Sequence, residues 1–182
     1  MINYKKIETI VFDCDGVILD SNSIKTEAFY EIGRQYSDEA GSRLAKYHIE
    51  NGGESRYKKF NYLFENILNK ESSIEEIGRL SEIFAKITVD NVLNCAIADG
   101  IHELRNKTIK KKWLVVSGSD QEELRGIFRA RGLYSLFDGG IFGSPETKDT
   151  ILEREFKSGN ISKLSLFIGD SITDYKAAKN AN

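Results

Sequence analysis

Asp13 and Asp15 stand two positions apart at the end of the apolar run Ile10, Val11, Phe12, and Asp170 and Asp174 follow the run Leu166, Phe167, Ile168. Between these acids, Ser117 closes "WLVVS", and Lys148 lies in "GSPETKD" just after "FDGGIFG". A run that reads as a buried strand gains no stability from carboxylates at its end, because uncompensated buried charge is costly. Acids gathered in this way suit a hard cation, while a lysine and a hydroxyl suit an anion. Magnesium with a phosphoryl group satisfies both halves, since magnesium favours oxygen ligands and shares them with substrate phosphate. Side chains at i and i+2 of a strand share a side, so Asp13 and Asp15 can reach one pocket while Cys14 points away. One carboxylate can then attack phosphorus while its neighbour protonates the leaving oxygen and later takes a proton from water. Asp13 is the expected nucleophile and Asp15 the expected acid/base. A calcium loop starting at "DCDG" fails, because its fifth and twelfth positions are Val17 and Ile24 rather than ligands.

These residues need a scaffold that brings strand ends together. Runs 9–13, 113–117, 137–143 and 164–170 are apolar and β-branched without strict alternation, the pattern of parallel strands covered on both faces. Helical patterns separate the last three: "DQEELRGIFRARG", with Leu124, Ile127 and Phe128 on one face, and "KDTILEREFKSG". This βαβ rhythm predicts an α/β fold with a doubly wound, Rossmann-like parallel sheet, in which ligands sit beyond the carboxyl ends of the strands. Residues 21–98 differ. They contain "SNSIKTEAFYEIGRQY", "SDEAGSRLAKYHIE", "ESRYKKFNYLFENILN" and "SSIEEIGRLSEIFAKITVDNVL", each with apolar spacing near i, i+3, i+4 and Ser or Asp near its start. The expected organisation is a core of 1–20 and 99–182 with a helical module of 21–98 inserted after the first strand. Gly16 permits a tight turn, and Asp20 with Ser21 begins the hinge to the insertion.

Lys plus Arg number 26 against 28 Asp plus Glu, so no basic stripe marks a nucleic-acid partner. No apolar run approaches the roughly 18 residues of a spanning helix, and "MINYKKIETI" lacks the apolar stretch of a secretory signal. A cytoplasmic protein with no membrane partner is expected. Cys14 and Cys95 are far apart without CxxC spacing and read as isolated thiols. His48 and His102 read as structural, and Phe29, Tyr30, Tyr62 and Phe84 as the core of the helical module.

"DCDGVILDS", "VVSGSD", "SPETK" and "GDSITD", in this order and each at a strand end, resemble the four motifs of the haloacid dehalogenase superfamily. The inserted helices resemble the cap of its phosphoglycolate phosphatase and β-phosphoglucomutase branch. The resemblance implies that Asp13 is phosphorylated and that Asp15 also lends its backbone carbonyl to Mg2+. It implies that Ser117 binds the phosphoryl group with Gly118 beside it, and that Lys148 neutralises that group and orients the nucleophile. Asp13 and Asp170 would ligate the metal, and Asp174 would bind it directly or through water. An acid in the first turn of a helix also favours its dipole, so Asp174 has a surface explanation as well. In "ENGGESRYKKF" two glycines precede Ser55, Arg56 and Lys59. This stretch resembles the substrate-specificity loop of the branch, which implies that Arg56, with Lys59, holds a second anionic group of the substrate; the alternative is an ordinary basic helix start with Tyr57, Phe60 and Phe64 packing inward. Lys25 occupies a position where relatives place a residue facing the active site, although a lysine there also reads as an ordinary solvated helix residue.

The expected activity is therefore a magnesium-dependent phosphatase on a small phosphate monoester, such as a sugar phosphate, through an aspartyl-phosphate. The rivals are a phosphomutase and a catalytically weak metabolite-binding protein. Relatives usually continue past "YKAAKNAN" into a further strand, so the final edge strand is expected to be missing. The strand at 164–170 would then be exposed, in a monomer or in a dimer that covers it.

Overall fold

The structure, a computed structural model, describes residues 4–181. Four parallel strands, β1 (Thr9–Phe12), β2 (Lys112–Asp120), β3 (Gly140–Ser144) and β4 (Ser165–Ile168), form one sheet in the order β3-β2-β1-β4. Successive side chains alternate between its faces, so the two sides bury different sets. Ile10, Phe12, Trp113 and Val115 pack with Leu124, Ile127, Phe128 and Phe137 on one side. Val11, Leu114 and Val116 pack with Ile151, Leu152, Ile161 and Ala177 on the other. The first group is covered by α5 (Ile101–Lys107) and α6 (Gln121–Ala130), the second by α7 (Lys148–Lys157) and α8 (Ile172–Asn180). Every β1 residue is buried, which explains why Ile10, Val11 and Phe12 are apolar in succession rather than alternating. Each such side chain contributes on the order of 1.5–3 kcal/mol through burial. The doubly wound sheet expected from the βαβ rhythm is thus the observed one. Strand β4 pairs with β1 alone and its residues are half-buried, so among the described residues it forms an edge of the sheet.

Helices α1 (Asn22–Arg34), α2 (Asp38–Glu50), α3 (Arg56–Tyr62) and α4 (Ile74–Asn94) enclose a separate cluster of Ala28, Phe29, Ile32, Leu44, Phe60, Leu63, Phe64, Leu80 and Phe84. The serines that precede three of them act as N-caps: Ser37 accepts from Ala40 N, Ser55 from Lys58 N and Ser73 from Glu76 N. The single helix expected over residues 54–69 is instead α3 followed by a π turn at Leu63–Ile67. It closes at Asn69, whose φ of 51° is a left-handed conformation that asparagine tolerates. The outgoing and returning connections run side by side, with Asp20 N donating to Ala96 O and Ala98 N to Ile18 O. Among the described residues no helix is long and apolar enough to cross a membrane.

Candidate active site

Because β1 and β2 are the central strands, the residues that follow them meet in the middle of the carboxyl edge. Asp13 is 3% exposed, and its Oδ1 accepts from Cys14 N at 2.7 Å. Its Oδ2 lies 2.9 Å from Lys148 Nζ. Lys148 opens α7 behind the Thr147 cap and bridges Asp13 to Asp174, with which it also forms an ion pair. Asp174 is not a surface acid: it is 2% exposed, and its Oδ2 accepts from the Ser171 backbone N–H and hydroxyl while Asp174 N donates back to Ser171. This reciprocal capping box folds the first turn of α8 inward and turns a helix-start acid into a buried one.

Asp15 is half-buried and accepts from Ser21 Oγ at 2.5 Å, from Ser119 Oγ at 2.8 Å and from Lys25 Nζ at 2.6 Å. Lys25 Nζ also donates to Ser119 Oγ at 2.7 Å. The β2–β3 register passes from Val116↔Phe142 to Asp120↔Ser144, so Ser117, Gly118 and Ser119 bulge out of the ladder. Asp120 then caps α6 through Glu122 N and Glu123 N. Ser117 is fully buried, and its hydroxyl accepts from Ser119 N. Asp170 stays exposed and accepts from Asn22 Nδ2 at 2.9 Å. Gly16, at φ +73°, makes room for it: a Cβ there would stand 2.1 Å from Asp170 Oδ2.

A cleft of about 370 Å³ opens between the sheet edge and the helical layer. Of the expected residues, Asp13, Asp15, Asp170, Gly118, Lys25, Arg56 and Lys59 line it. Ser117, Lys148 and Asp174 lie behind its wall. The Gly52–Gly53 loop presses on that region, since a Cβ on Gly118 would meet Gly53 O at 2.3 Å and one on Gly53 would meet Lys148 Nζ at 3.1 Å. Glycine at 118 is therefore a requirement of close backbone approach. On the helical side, Arg56 is buried and ion-paired with Glu123, and it donates to Ser81 O at 3.3 Å. Tyr57 OH donates to Asp120 Oδ2 at 3.1 Å. Lys59 is 2% exposed and contacts His48 Nδ1 at 2.8 Å.

Sequence reasoning did not single out Asn22 or Glu123, and it offered Ser119 only as an alternative to Asp120 for the cap of α6, a place that Asp120 takes. Asn22 and Ser119 adjoin motif residues and could have been found there, whereas Glu123 reads as an ordinary helix-surface acid. His48, expected to be structural, lies on the cleft wall.

The electrostatics follow from burial and pairing. Burial raises the Asp13 carboxyl, Lys148 opposes the rise, and the charges of Asp174 and Asp15 add to it, leaving it at about 6. Burial would also raise Asp15, but the Lys25 charge and the hydrogen bonds from Lys25, Ser21 and Ser119 outweigh it and hold the carboxyl well below the usual range. For Lys148, burial pulls down while Asp13 and Asp174 push up, and the acids win.

The carboxylates of Asp13, Asp170 and Asp174 each offer an oxygen, all within 4.8 Å of one another. With Lys148 counted, their ionised charges sum to −2. An all-oxygen donor set with that residual charge fits a hard dication such as magnesium, which would also relieve the repulsion that raises Asp13.

The chain matches the haloacid dehalogenase-like hydrolase family over residues 7–182, and it belongs to that family. No curated protein matches it. Among solved structures, the β-phosphoglucomutase from Clostridium difficile is 22% identical with a TM-score of 0.76, over 97% of this chain and 82% of that one. A predicted phosphatase from Clostridium acetobutylicum is 20% identical with a TM-score of 0.74, over 97% and 82%. A predicted phosphoglycolate phosphatase from Haemophilus somnus is 19% identical with a TM-score of 0.72, over 98% and 84%. These likenesses establish a shared fold.

Proposed function

We propose that this chain is a magnesium-dependent phosphatase acting on a small phosphate monoester through a phosphorylated Asp13. The observation that carries the reading is the buried Asp13–Lys148–Asp174 arrangement with Asp170 in reach, beside a second carboxylate, Asp15, on the same strand end. Asp13, Asp170 and Asp174 would hold the metal, which when bound neutralises charge on the transferred phosphoryl oxygens. Lys148 fixes the Asp13 carboxylate and supplies positive charge beside it. Ser117, with Gly118, offers hydroxyl and backbone donors from the bulge after β2.

In the first half-reaction an Asp13 oxygen bonds to phosphorus as the ester P–O bond breaks, and the alcohol oxygen takes a proton from Asp15. In the second, water attacks the aspartyl-phosphate, gives its proton to Asp15 and releases inorganic phosphate with Asp13 restored. The contacts of Lys25, Ser21 and Ser119 with the Asp15 oxygens favour its ionised form, which suits the second half. Acting as an acid requires it to exchange those contacts for a proton.

The test is phosphate release from a panel of phosphorylated metabolites in the presence of magnesium. At least one ester is hydrolysed by the wild type, and Asp13→Asn lowers its turnover by on the order of 10⁴ or more. Comparable turnover by Asp13→Asn would remove Asp13 from the nucleophile's role.

A further inference from the structure

Three segments meet at the amino-terminal edge of the sheet, opposite the cleft. Thr9 of β1 is in register with Lys112 of β2 and with Ser165 of β4, so residues 4–8, 108–111 and 162–164 arrive there side by side. Glu8 N donates to Leu164 O at 2.8 Å, Lys112 N to Glu8 O at 2.9 Å, and Lys111 Nζ to Tyr4 O at 3.0 Å. The middle segment is a turn, closed by Lys111 N on Thr108 O at 2.8 Å, with Ile109 and Lys110 at its two central positions. Its base is fixed, because Trp113 Nε1 donates to Thr108 Oγ1 at 3.0 Å and the Arg105 guanidinium to Lys111 O at 2.8 Å.

The side chains that this edge sends into solvent are of two kinds. Ile109 is 62% exposed, Tyr4 66% and Leu164 49%. Around them Lys6, Lys110 and Lys163 are exposed, and among the described residues none of these three makes an ion pair. Of the acids nearby, Glu8 accepts from Ser162 Oγ, and Glu103 is paired with Lys107. The centre of a turn favours Gly, Pro, Asn, Asp or Ser for backbone reasons, and a β-branched apolar residue at its tip has no such use. The balance of 26 cations against 28 acids over the whole chain conceals this local excess of positive charge.

We infer that the amino-terminal edge of the sheet is a docking surface for an anionic phospholipid bilayer, with Lys6, Lys110 and Lys163 at the headgroups and Ile109 entering the boundary of the acyl chains. The mixture of side chains selects a bilayer over a soluble polyanion. A nucleic acid rewards the lysines and leaves Ile109 and Leu164 in water, whereas a bilayer interface rewards both kinds. A lysine stem is long enough to keep its charge among the headgroups while the apolar neighbours go deeper. Such a contact lies on the membrane and needs no spanning helix. Docked by this edge, the protein holds the cleft, at the opposite edge, toward the solvent. The inference is independent of the phosphatase reading.

Flotation of the full chain with vesicles tests it without any measurement of turnover. The vesicles are an equimolar mixture of phosphatidylcholine and phosphatidylglycerol, compared with phosphatidylcholine alone. The wild type binds the mixed vesicles at least about tenfold more tightly than the neutral ones. Combining Lys6→Glu with Lys110→Glu lowers binding to the mixed vesicles by about tenfold or more. Ile109→Ser, which changes no charge, lowers it by about threefold or more. A wild type that binds neither vesicle, or both equally, would overturn the inference, as would binding indifferent to the lysine changes. Binding that falls with the lysines and is unchanged in Ile109→Ser would also end it, and the same pattern on duplex DNA would assign the edge to nucleic acid instead. All three substitutions alter exposed side chains, and melting curves confirm that the variants are folded; Lys6→Gln with Lys110→Gln replaces the charge reversal if that variant is not.

Discussion

On the sheet side of the cleft the buried cation Lys148 stands between two acids, Asp13 and Asp174, and the acid Asp15 faces the cation Lys25. On the helical side Arg56 has Glu123, but Lys59 has an imidazole in place of a carboxylate. Burial acts on both walls, and the outcomes diverge. Lys148 is driven up by its acids, while Lys59 is pulled down to about 7, by burial first and by the neighbouring Lys25 charge second. His48 is pulled down to about 3, by burial and then by Lys59, so it remains neutral. The sheet wall thus pairs each of its cations with acids and still keeps a deficit of positive charge near Asp13. On the helical wall Lys59 makes no ion pair among the described residues, and only the more distant charges of Glu54 and Asp15 favour its charged form.

The sharpest way to break this contrast is to remove the compensating charge on the sheet side. Lys148→Met leaves Asp13 and Asp174 buried together, and a loss of about 3–5 kcal/mol is expected in urea unfolding without magnesium. A loss below about 1 kcal/mol would mean that the two acids are not held apart by the lysine. Supplying positive charge instead should stabilise: magnesium at a hundredfold excess over its dissociation constant adds about 2.7 kcal/mol if it does not bind the unfolded chain. Thermal melting with and without magnesium measures this, and an unchanged midpoint would remove the dication from the three carboxylates.

The helical wall responds with the opposite sign. Lys59→Met removes a buried cation that has no acid partner, so the melting temperature rises, by roughly 2–4 °C for each kcal/mol recovered. The pH dependence identifies the cause. The folded lysine titrates near 7 and the unfolded one near 10.5, so the unfolded chain binds the extra proton between those values. Wild-type stability at this position is lowest below about pH 7 and returns as pH rises toward 10.5. The advantage of Lys59→Met is therefore largest at pH 6 and smaller at pH 9. An advantage independent of pH would assign the effect to packing rather than charge.

Much of this arrangement can be read in the chain before any fold is known. Asp13, Asp15 and Asp170 stand out because each ends or follows an apolar run that has no structural use for it, whereas Ser117 and Lys148 stand out only in the company of the other motifs. The parallel sheet follows from the same runs. Asp174 was ambiguous because its inward turn depends on the capping box with Ser171, which a helix-start acid alone does not reveal. The pairing of Arg56 with Glu123 was hidden for a different reason. The partners are 67 positions apart and meet only because the helical layer closes on α6, so a basic helix start looked free to meet substrate. His48 and Lys59 share that difficulty on a smaller scale: nothing in "AKYHIE" or "RYKKF" says that two helices bring them to 2.8 Å. Contacts within a motif are legible, and contacts between separately packed layers are not.

The central claim is that the acids and Lys148 at the sheet edge form one metal-assisted phosphoryl-transfer site. Hydrolysis of p-nitrophenyl phosphate by the wild type, followed across a magnesium titration that begins in excess EDTA, addresses it most directly. No turnover is expected in EDTA, and the rate should rise and saturate with magnesium. Hydrolysis as fast in EDTA as in saturating magnesium would contradict it.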